Sequence, residues 1–229
     1  MKRKNTNTSN LYEKSKKFYA GFQSKNNCWL FTSQNIANYF IYLNNQNPIA
    51  KFNKGEWDGP RDIVEQEFIK RQPDQEYMLR RVGSQYDIIS YLKTYGISAD
   101  ELSVFNKNVH NKKHKKIMKK MVYFLLIQHF SNNDTPVATN VGYHWIAVSG
   151  IDINSKQAVI LDPMKENPSI GTLNYISNRM STMINKGVNH ILILFPHKGH
   201  SNYVTYSSYT GMNWNKFKSE MLAITNQSL

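Results

Sequence analysis

The stretch FQSKNNCWLFTSQNIANYF, residues 22–40, decides the fold because it places the only cysteine of the chain, Cys28, at the start of an apolar helical pattern. Apolar residues recur at helical spacing as far as Leu43, and the Asn-rich residues 44–47 end the pattern. The stretch therefore predicts a helix that begins at Cys28. A thiol is a useful nucleophile only as the thiolate, and the backbone N–H groups at a helix start favour that form.

The composition is that of a folded, strongly basic chain with room for one large domain. Of the 229 residues, 40% are hydrophobic and 13% aromatic, which is enough for a core and too much for a disordered chain. Lys and Arg number 29 against 16 Asp and Glu, so the net charge is +13. This charge suits an acidic protein, an anionic membrane surface or nucleic acid, but an ordinary lysine-rich solvated surface gives the same balance.

The ends and the apolar runs of the sequence bear on where the protein works. The basic, polar N-terminus MKRKNTNTSNLYEKSKK contains no apolar core segment, so no cleavable signal peptide is expected. The most apolar run, MVYFLLIQHF at residues 121–130, is too short to span a bilayer. A single cysteine cannot form an internal disulfide. The sequence predicts a soluble protein, and neither a metal ion nor a cofactor is expected.

The order of the predicted elements favours an α+β chain, with helices first and a sheet second. Residues 1–20 are interpreted as a mobile or loosely docked arm, and residues 21–229 as one catalytic domain. Its helical half is expected at about 21–130 and its sheet half at about 131–229. Helices are predicted over 28–43, 61–72, 85–95, 115–130 and 176–187, and strands over 136–141, 144–152, 156–162 and 190–195.

Two residues of the predicted sheet could serve the thiol. His144 opens the strand 144–152, and Asp162 ends the next strand, 156–162. If the two strands pair through the turn between them, His144 and Asp162 come within about two residues of direct opposition. A carboxylate at that position could bind one imidazole nitrogen and leave the other for Cys28, which is the nucleophile–base–orienter arrangement.

A site of this kind also needs hydrogen-bond donors for an oxyanion. The backbone N–H of Cys28 is one donor. The side-chain amide of Gln23 lies upstream in a loop that could fold back toward the same pocket, and Gln34 and Asn27 are alternatives.

Each of these signals is weak when taken alone. A lone cysteine in a helix is more often an inert buried residue, and an Asp before Pro is usually a turn residue. The interpretation of Cys28 as a nucleophile is favoured by the order of the signals along the chain. They are a Gln, a Cys-Trp pair, a His-Trp pair and an Asp-Pro pair, on elements that should converge.

The segment QSKNNCWLF resembles the active site of papain-like cysteine peptidases, in which a Gln precedes a Cys-Trp pair that opens the central helix. Residues 82–163 resemble the bacterial branch with bacteriocin-processing peptidases and plant-pathogen effector proteases. In those proteins a segment like DIISYLKTYGI lies between the Cys motif and the His motif. A strand like TPVATNV then leads to HWIAVSGID, and a hairpin leads to an Asp-Pro pair. The resemblance covers roughly residues 20–165. Papain itself has one more residue between Gln and Cys and uses Asn in place of Asp162.

The resemblance implies a papain-like fold, with the catalytic cysteine on a central helix of the helical half and the His and Asp on the antiparallel sheet half. By this resemblance Cys28 is the nucleophile, His144 the base, Asp162 the orienter and Gln23 the oxyanion donor. It also implies a peptidase that cleaves a specific protein, as bacterial effectors do on host proteins such as small GTPases. Such a protein would remain in the bacterial cytoplasm or reach the host cytosol through a specialised secretion system.

Two other functions stay open from the sequence. A papain-like glutamine deamidase or transglutaminase would use the same triad on a side-chain amide. Alternatively, the protein is a basic binding module that uses the segment KNVHNKKHKKIMKK, residues 107–120, and the Cys-His-Asp triad has no catalytic role. This segment lacks interleaved aromatic residues and any nucleic-acid motif, so nucleic acid is not the expected partner, whereas peripheral contact with an anionic membrane fits its charge.

Overall fold

The computed structural model describes residues 7–23, 27–48, 63–106, 112–181, 183–185, 188–198 and 206–210. Its α-helices are α1 (Thr8–Lys16), α2 (Cys28–Leu43), α3 (Ile63–Arg71), α4 (Gln85–Lys93), α5 (Lys112–Asn132) and α6 (Leu173–Ser181), and a 3₁₀ helix covers Pro73–Arg80. Its strands are β1 (Ser98–Asn106), β2 (Val137–Asn140), β3 (Trp145–Asp152), β4 (Gln157–Leu161), β5 (Ser169–Thr172), β6 (Met183–Asn185), β7 (Val188–His197) and β8 (Tyr206–Thr210).

The strands form one eight-stranded sheet in the order β5-β4-β3-β2-β7-β1-β8, with β6 also paired to β7. The paired strands are antiparallel except for β1 and β8, which are parallel. Strands β2 to β5 follow one another as a meander, which confirms the antiparallel pairing predicted for β2, β3 and β4. Strand β1 lies within the half that was expected to be helical, so the sheet draws on both halves of the chain.

Helices cover both faces of this sheet and bury every residue of β3 except Asp152 at its end. Trp145 and Ala147 belong to the core shared with α2, α3 and α4, whereas Ile146 and Val148 belong to the core shared with α5 and α6. Successive strand residues point to opposite faces, so a strand buried on both sides needs apolar residues at every position. This requirement explains the continuous apolar run at the start of β3.

Helix α1 lies within the range that was expected to be a mobile or loosely docked arm. The hydroxyl oxygens of Ser15 and Ser149 are 2.8 Å apart, which joins α1 to β3, and residues 18–20 are buried in the core. Small hydroxyl side chains let the helix approach the sheet closely. The boundary expected at residue 20 therefore does not separate residues 7–20 from the domain.

The sheet half contains a helix that is displaced from its predicted range. A helix was predicted over residues 176–187, but α6 spans Leu173–Ser181 and the chain then enters β6. The apolar residues Leu173, Ile176 and Met180 are buried at helical spacing, so the core contact begins earlier than the sequence pattern indicated.

Gly83 allows the segment before α4 to lie directly on α2. A Cβ atom at this position would come within 2.2 Å of Cγ of Trp29. The carbonyl oxygen of Gly83 accepts a hydrogen bond of 3.0 Å from Nε1 of Trp145. The two buried Trp side chains therefore meet the same stretch of backbone, which fixes the helical layer against β3.

Gly83→Ala is expected to lower the free energy of unfolding by about 1–3 kcal/mol, because the added methyl group overlaps the buried Trp29 ring. Urea unfolding measures this change. Lys93→Ala, on the exposed side of α4, is the control and should change stability by about 0.5 kcal/mol or less. Equal stability of the two variants would contradict the proposed close contact.

Candidate active site

Cys28 is the first residue of α2 and is buried, with 6% of its surface exposed. Asn27, which precedes it, makes no side-chain capping bond to the helix among the described residues. The Asn27 amide donates instead to the carboxylate of Glu65 in α3. The first turn of α2 therefore keeps backbone N–H groups that its own cap residue does not occupy, at the end of the helix where the thiol lies.

The structure brings His144 and Asp162 to this thiol. His144 Nε2 and Asp162 Oδ1 are 2.7 Å apart, and the His144 side chain also forms a hydrogen bond with Cys28. Because Asp162 takes Nε2, Nδ1 is the ring nitrogen that remains for the sulfur. The backbone N–H of Trp145 donates to Cys28 Sγ at 3.5 Å. The three residues that the sequence singled out thus form one connected array.

The pairing of β3 with β4 places the two partners of the thiol. Ala147 lies opposite Leu161, and the register shifts at a bulge farther along the strands. His144 stands just before β3, and Asp162 stands just after β4. If the pairing is continued by one residue, Asp162 faces position 146, two residues from His144, which agrees with the predicted opposition.

Contacts within the turn and from a distant segment hold Asp162 in place. The backbone N–H of Met164 donates to Asp162 Oδ1 at 3.0 Å. The hydroxyl oxygen of Tyr19 lies 2.5 Å from each of two carbonyl oxygens, those of Asp162 and Lys165. The segment after α1 therefore fixes the turn that carries the carboxylate.

The two partners of the thiol shift each other's pKa in opposite directions. Burial alone would lower the pKa of His144, but hydrogen bonds and charge from Asp162 and Cys28 outweigh it and raise that pKa to about 9. Burial alone would raise the pKa of Asp162, but the bonds from His144 and the Met164 N–H lower it below its usual value. The geometry therefore favours an imidazolium bound to an ionised Asp162 near neutral pH.

Gln23 approaches the same turn through its backbone. Its N–H donates to the carbonyl oxygen of Pro163 at 2.7 Å, directly after Asp162. This bond brings the loop between α1 and α2 alongside the carboxylate turn. Gln23 is half-buried at that place.

The two alternative amides have other surroundings. Gln34 Oε1 accepts from the hydroxyls of Tyr91 and Tyr95, at 2.7 and 3.1 Å, and its amide donates to Asn38. Gln34 therefore belongs to a polar network inside the helical layer. The Asn27 amide donates to Glu65, as described above.

The sequence did not indicate two residues that support the array. Tyr19 lies in the range expected to be an arm, and no local pattern marks its contact with a turn more than a hundred positions away. Trp145 was noted only as the neighbour of His144, yet its backbone contacts the sulfur and its indole binds Gly83. Within the described residues, no group of three or more His, Cys, Asp or Glu side chains could hold a metal ion.

Comparison with known proteins leaves the family of the chain open. No protein-family model and no curated protein matches it. Among solved structures, the chain is similar to a double glycine motif protease from an AMS/PCAT transporter, crystallised in complex with the leader peptide. The TM-score is 0.39 and the identity 12%, over 75% of this chain and 88% of that chain.

Asp162→Asn is expected to bring the pKa of His144 well below 9, because the hydrogen bond to the carboxylate is the largest contribution that raises it and the carboxylate charge adds to it. NMR titration of the His144 imidazole measures this change. Asp152→Asn, at the opposite end of the same hairpin, is the control and should leave the titration unchanged.

The same pair should give stability a defined dependence on pH. The pKa of His144 is raised in the folded state, so its contribution is complete below the unfolded value near 6.5 and is lost as pH rises through about 9. Urea unfolding between these pH values should show the wild type losing stability relative to Asp162→Asn. Parallel curves would contradict a charged pair.

Proposed function

We propose that this protein is a cysteine peptidase with a papain-like arrangement of its active site. The observation that carries the proposal is the hydrogen-bonded array of Cys28, His144 and Asp162, on a helix start and two adjacent strand ends. A nucleophile, a base and an orienting carboxylate in contact are the requirements of thiol acyl transfer. An inert buried cysteine has no need of an imidazole with a raised pKa.

The reaction would proceed in two halves. Cys28 Sγ attacks the substrate carbonyl carbon, and the oxyanion that forms accepts bonds from the Cys28 N–H and the Gln23 amide. His144 then protonates the leaving amine as the C–N bond breaks. In the second half His144 takes a proton from water, the hydroxide attacks the acyl carbon, and the thiolate leaves. Asp162 stays hydrogen-bonded to Nε2 of the His144 ring throughout both halves.

The proposed substrate is a host protein with an acidic surface, and the protein would act as a bacterial effector. The net charge of +13 supports the acidic surface. The sequence resemblance to effector proteases supports the role, with small GTPases as one substrate class. N-terminal labelling of a eukaryotic lysate treated with wild type or Cys28→Ala identifies the cleaved proteins.

Cys28→Ala and His144→Ala should each reduce turnover by roughly 10⁴-fold or more, and Asp162→Ala should cost less because an orienter acts through the base. Cleavage of the first substrate found in the lysate measures these rates. His197→Ala is a matched control, because His197 Nε2 lies 3.6 Å from Asp100 Oδ2 in a second His–carboxylate pair between β1 and β7. Full turnover in Cys28→Ala would end the proposal.

The intact mass of the product distinguishes peptide cleavage from reaction at a side-chain amide. Two fragments with a new N-terminus support the peptidase. An uncut product in which one amide has become an acid, or has been joined to an amine, would instead support a deamidase or transglutaminase with the same triad.

Gln23→Ala should lower kcat by roughly 10²-fold with little change in KM, because an oxyanion donor binds the transition state more strongly than the substrate. Single-turnover cleavage of a peptide taken from the identified substrate measures both constants. Gln66→Ala, on the exposed side of α3, is the control. A change confined to KM would assign Gln23 to substrate binding.

A further inference from the structure

Helix α5 concentrates the positive charge of the chain on one element. Its 21 residues, Lys112–Asn132, include six lysines and no Asp or Glu. The lysines all lie in the first half of the helix, and the second half contains no charged Lys, Arg, Asp or Glu. A cationic stretch with no acidic residue of its own is not needed for folding, because like charges on one helix repel one another.

The side of α5 that faces the protein is apolar except for His129, which is buried and hydrogen-bonded to the backbone of Thr135. Met118, Met121, Val122, Leu125 and Leu126 are buried in the core shared with α6 and the sheet. Among the described residues no helix, including α5, has both the length and the apolar content to cross a membrane. Packing against the core accounts for the apolar residues on the inward side of α5.

The outward side of α5 combines lysines with apolar side chains. Lys116 and Lys120 are exposed, and Lys119 is half-buried beside them. At 3.6 residues per turn, Tyr123 and Ile127 fall within roughly 60° of Lys116 and Lys120; both pack partly against the core and leave the rest of the side chain exposed. We call these five residues the lysine face.

We propose that the lysine face binds the surface of an anionic lipid membrane. The ammonium groups would meet headgroup phosphates, and Tyr123 and Ile127 would meet the boundary between headgroups and acyl chains. A nucleic acid backbone would satisfy the lysines but offers no apolar layer for the other two residues. The surface is independent of the active-site array, because the lysine face includes none of Cys28, His144 and Asp162.

The test is co-sedimentation of the full chain with vesicles of phosphatidylcholine alone or mixed with phosphatidylserine. Binding should require phosphatidylserine and weaken as salt rises, because exposed charges are screened. Lys116→Gln, Lys119→Gln and Lys120→Gln combined should weaken binding roughly 100-fold, at about a factor of five for each lysine. Lys16→Gln, Lys70→Gln and Lys93→Gln combined remove the same charge from scattered exposed sites and should weaken binding far less.

Several outcomes would overturn the proposal. Equal losses in the two triple variants would assign binding to net charge rather than to α5. Unchanged binding in the α5 variant would exclude the lysine face. Binding to an RNA or duplex DNA oligonucleotide that the α5 variant loses, with no vesicle binding, would assign the face to nucleic acid. Thermal unfolding and thiol labelling of Cys28 should be unchanged in both triple variants, which separates this surface from the proposed peptidase.

Discussion

The start of strand β3 is the contact on which the rest of the structure depends, because it joins the helix that carries the thiol to the sheet that carries its partners. The backbone N–H of Trp145 donates to Cys28 Sγ, and its buried indole donates to the carbonyl of Gly83. A shift of β3 by one residue would turn Trp145 to the opposite face of the sheet. The same shift would carry His144 away from the sulfur, so the register of one strand fixes both the core and the array.

The electrostatics of the array depend on all of its members being present. Burial by itself disfavours charge on both His144 and Asp162, and their mutual hydrogen bond reverses the effect for each. A charge that is left behind when its partner is removed would be costly, because the site is only partly open to water. The structure thus keeps an imidazolium beside a sulfur that also accepts the Trp145 N–H.

Elements with a strong local pattern could be predicted from the sequence. The helix that begins at Cys28, helix α4 and the β2–β4 meander all followed from periodicity and turn residues. Strand β1 could not, because its sequence SADELSVFN is polar and its stability comes from pairing with β7 far along the chain. The opposition of His144 and Asp162 followed from the hairpin, whereas the contact with Tyr19 needed the full tertiary structure.

Hydrogen bonds join the segment between α1 and α2 to the turn that carries Asp162, and this connection has a consequence for biosynthesis. Tyr19 and Asp162 are 143 positions apart, and Gln23 binds Pro163 in the same region. A ribosome releases the helix with Cys28 long before it releases the turn that completes the array. The nascent chain therefore carries its thiol through most of translation without His144 or Asp162 beside it, and the array is complete only when β4 has joined the sheet.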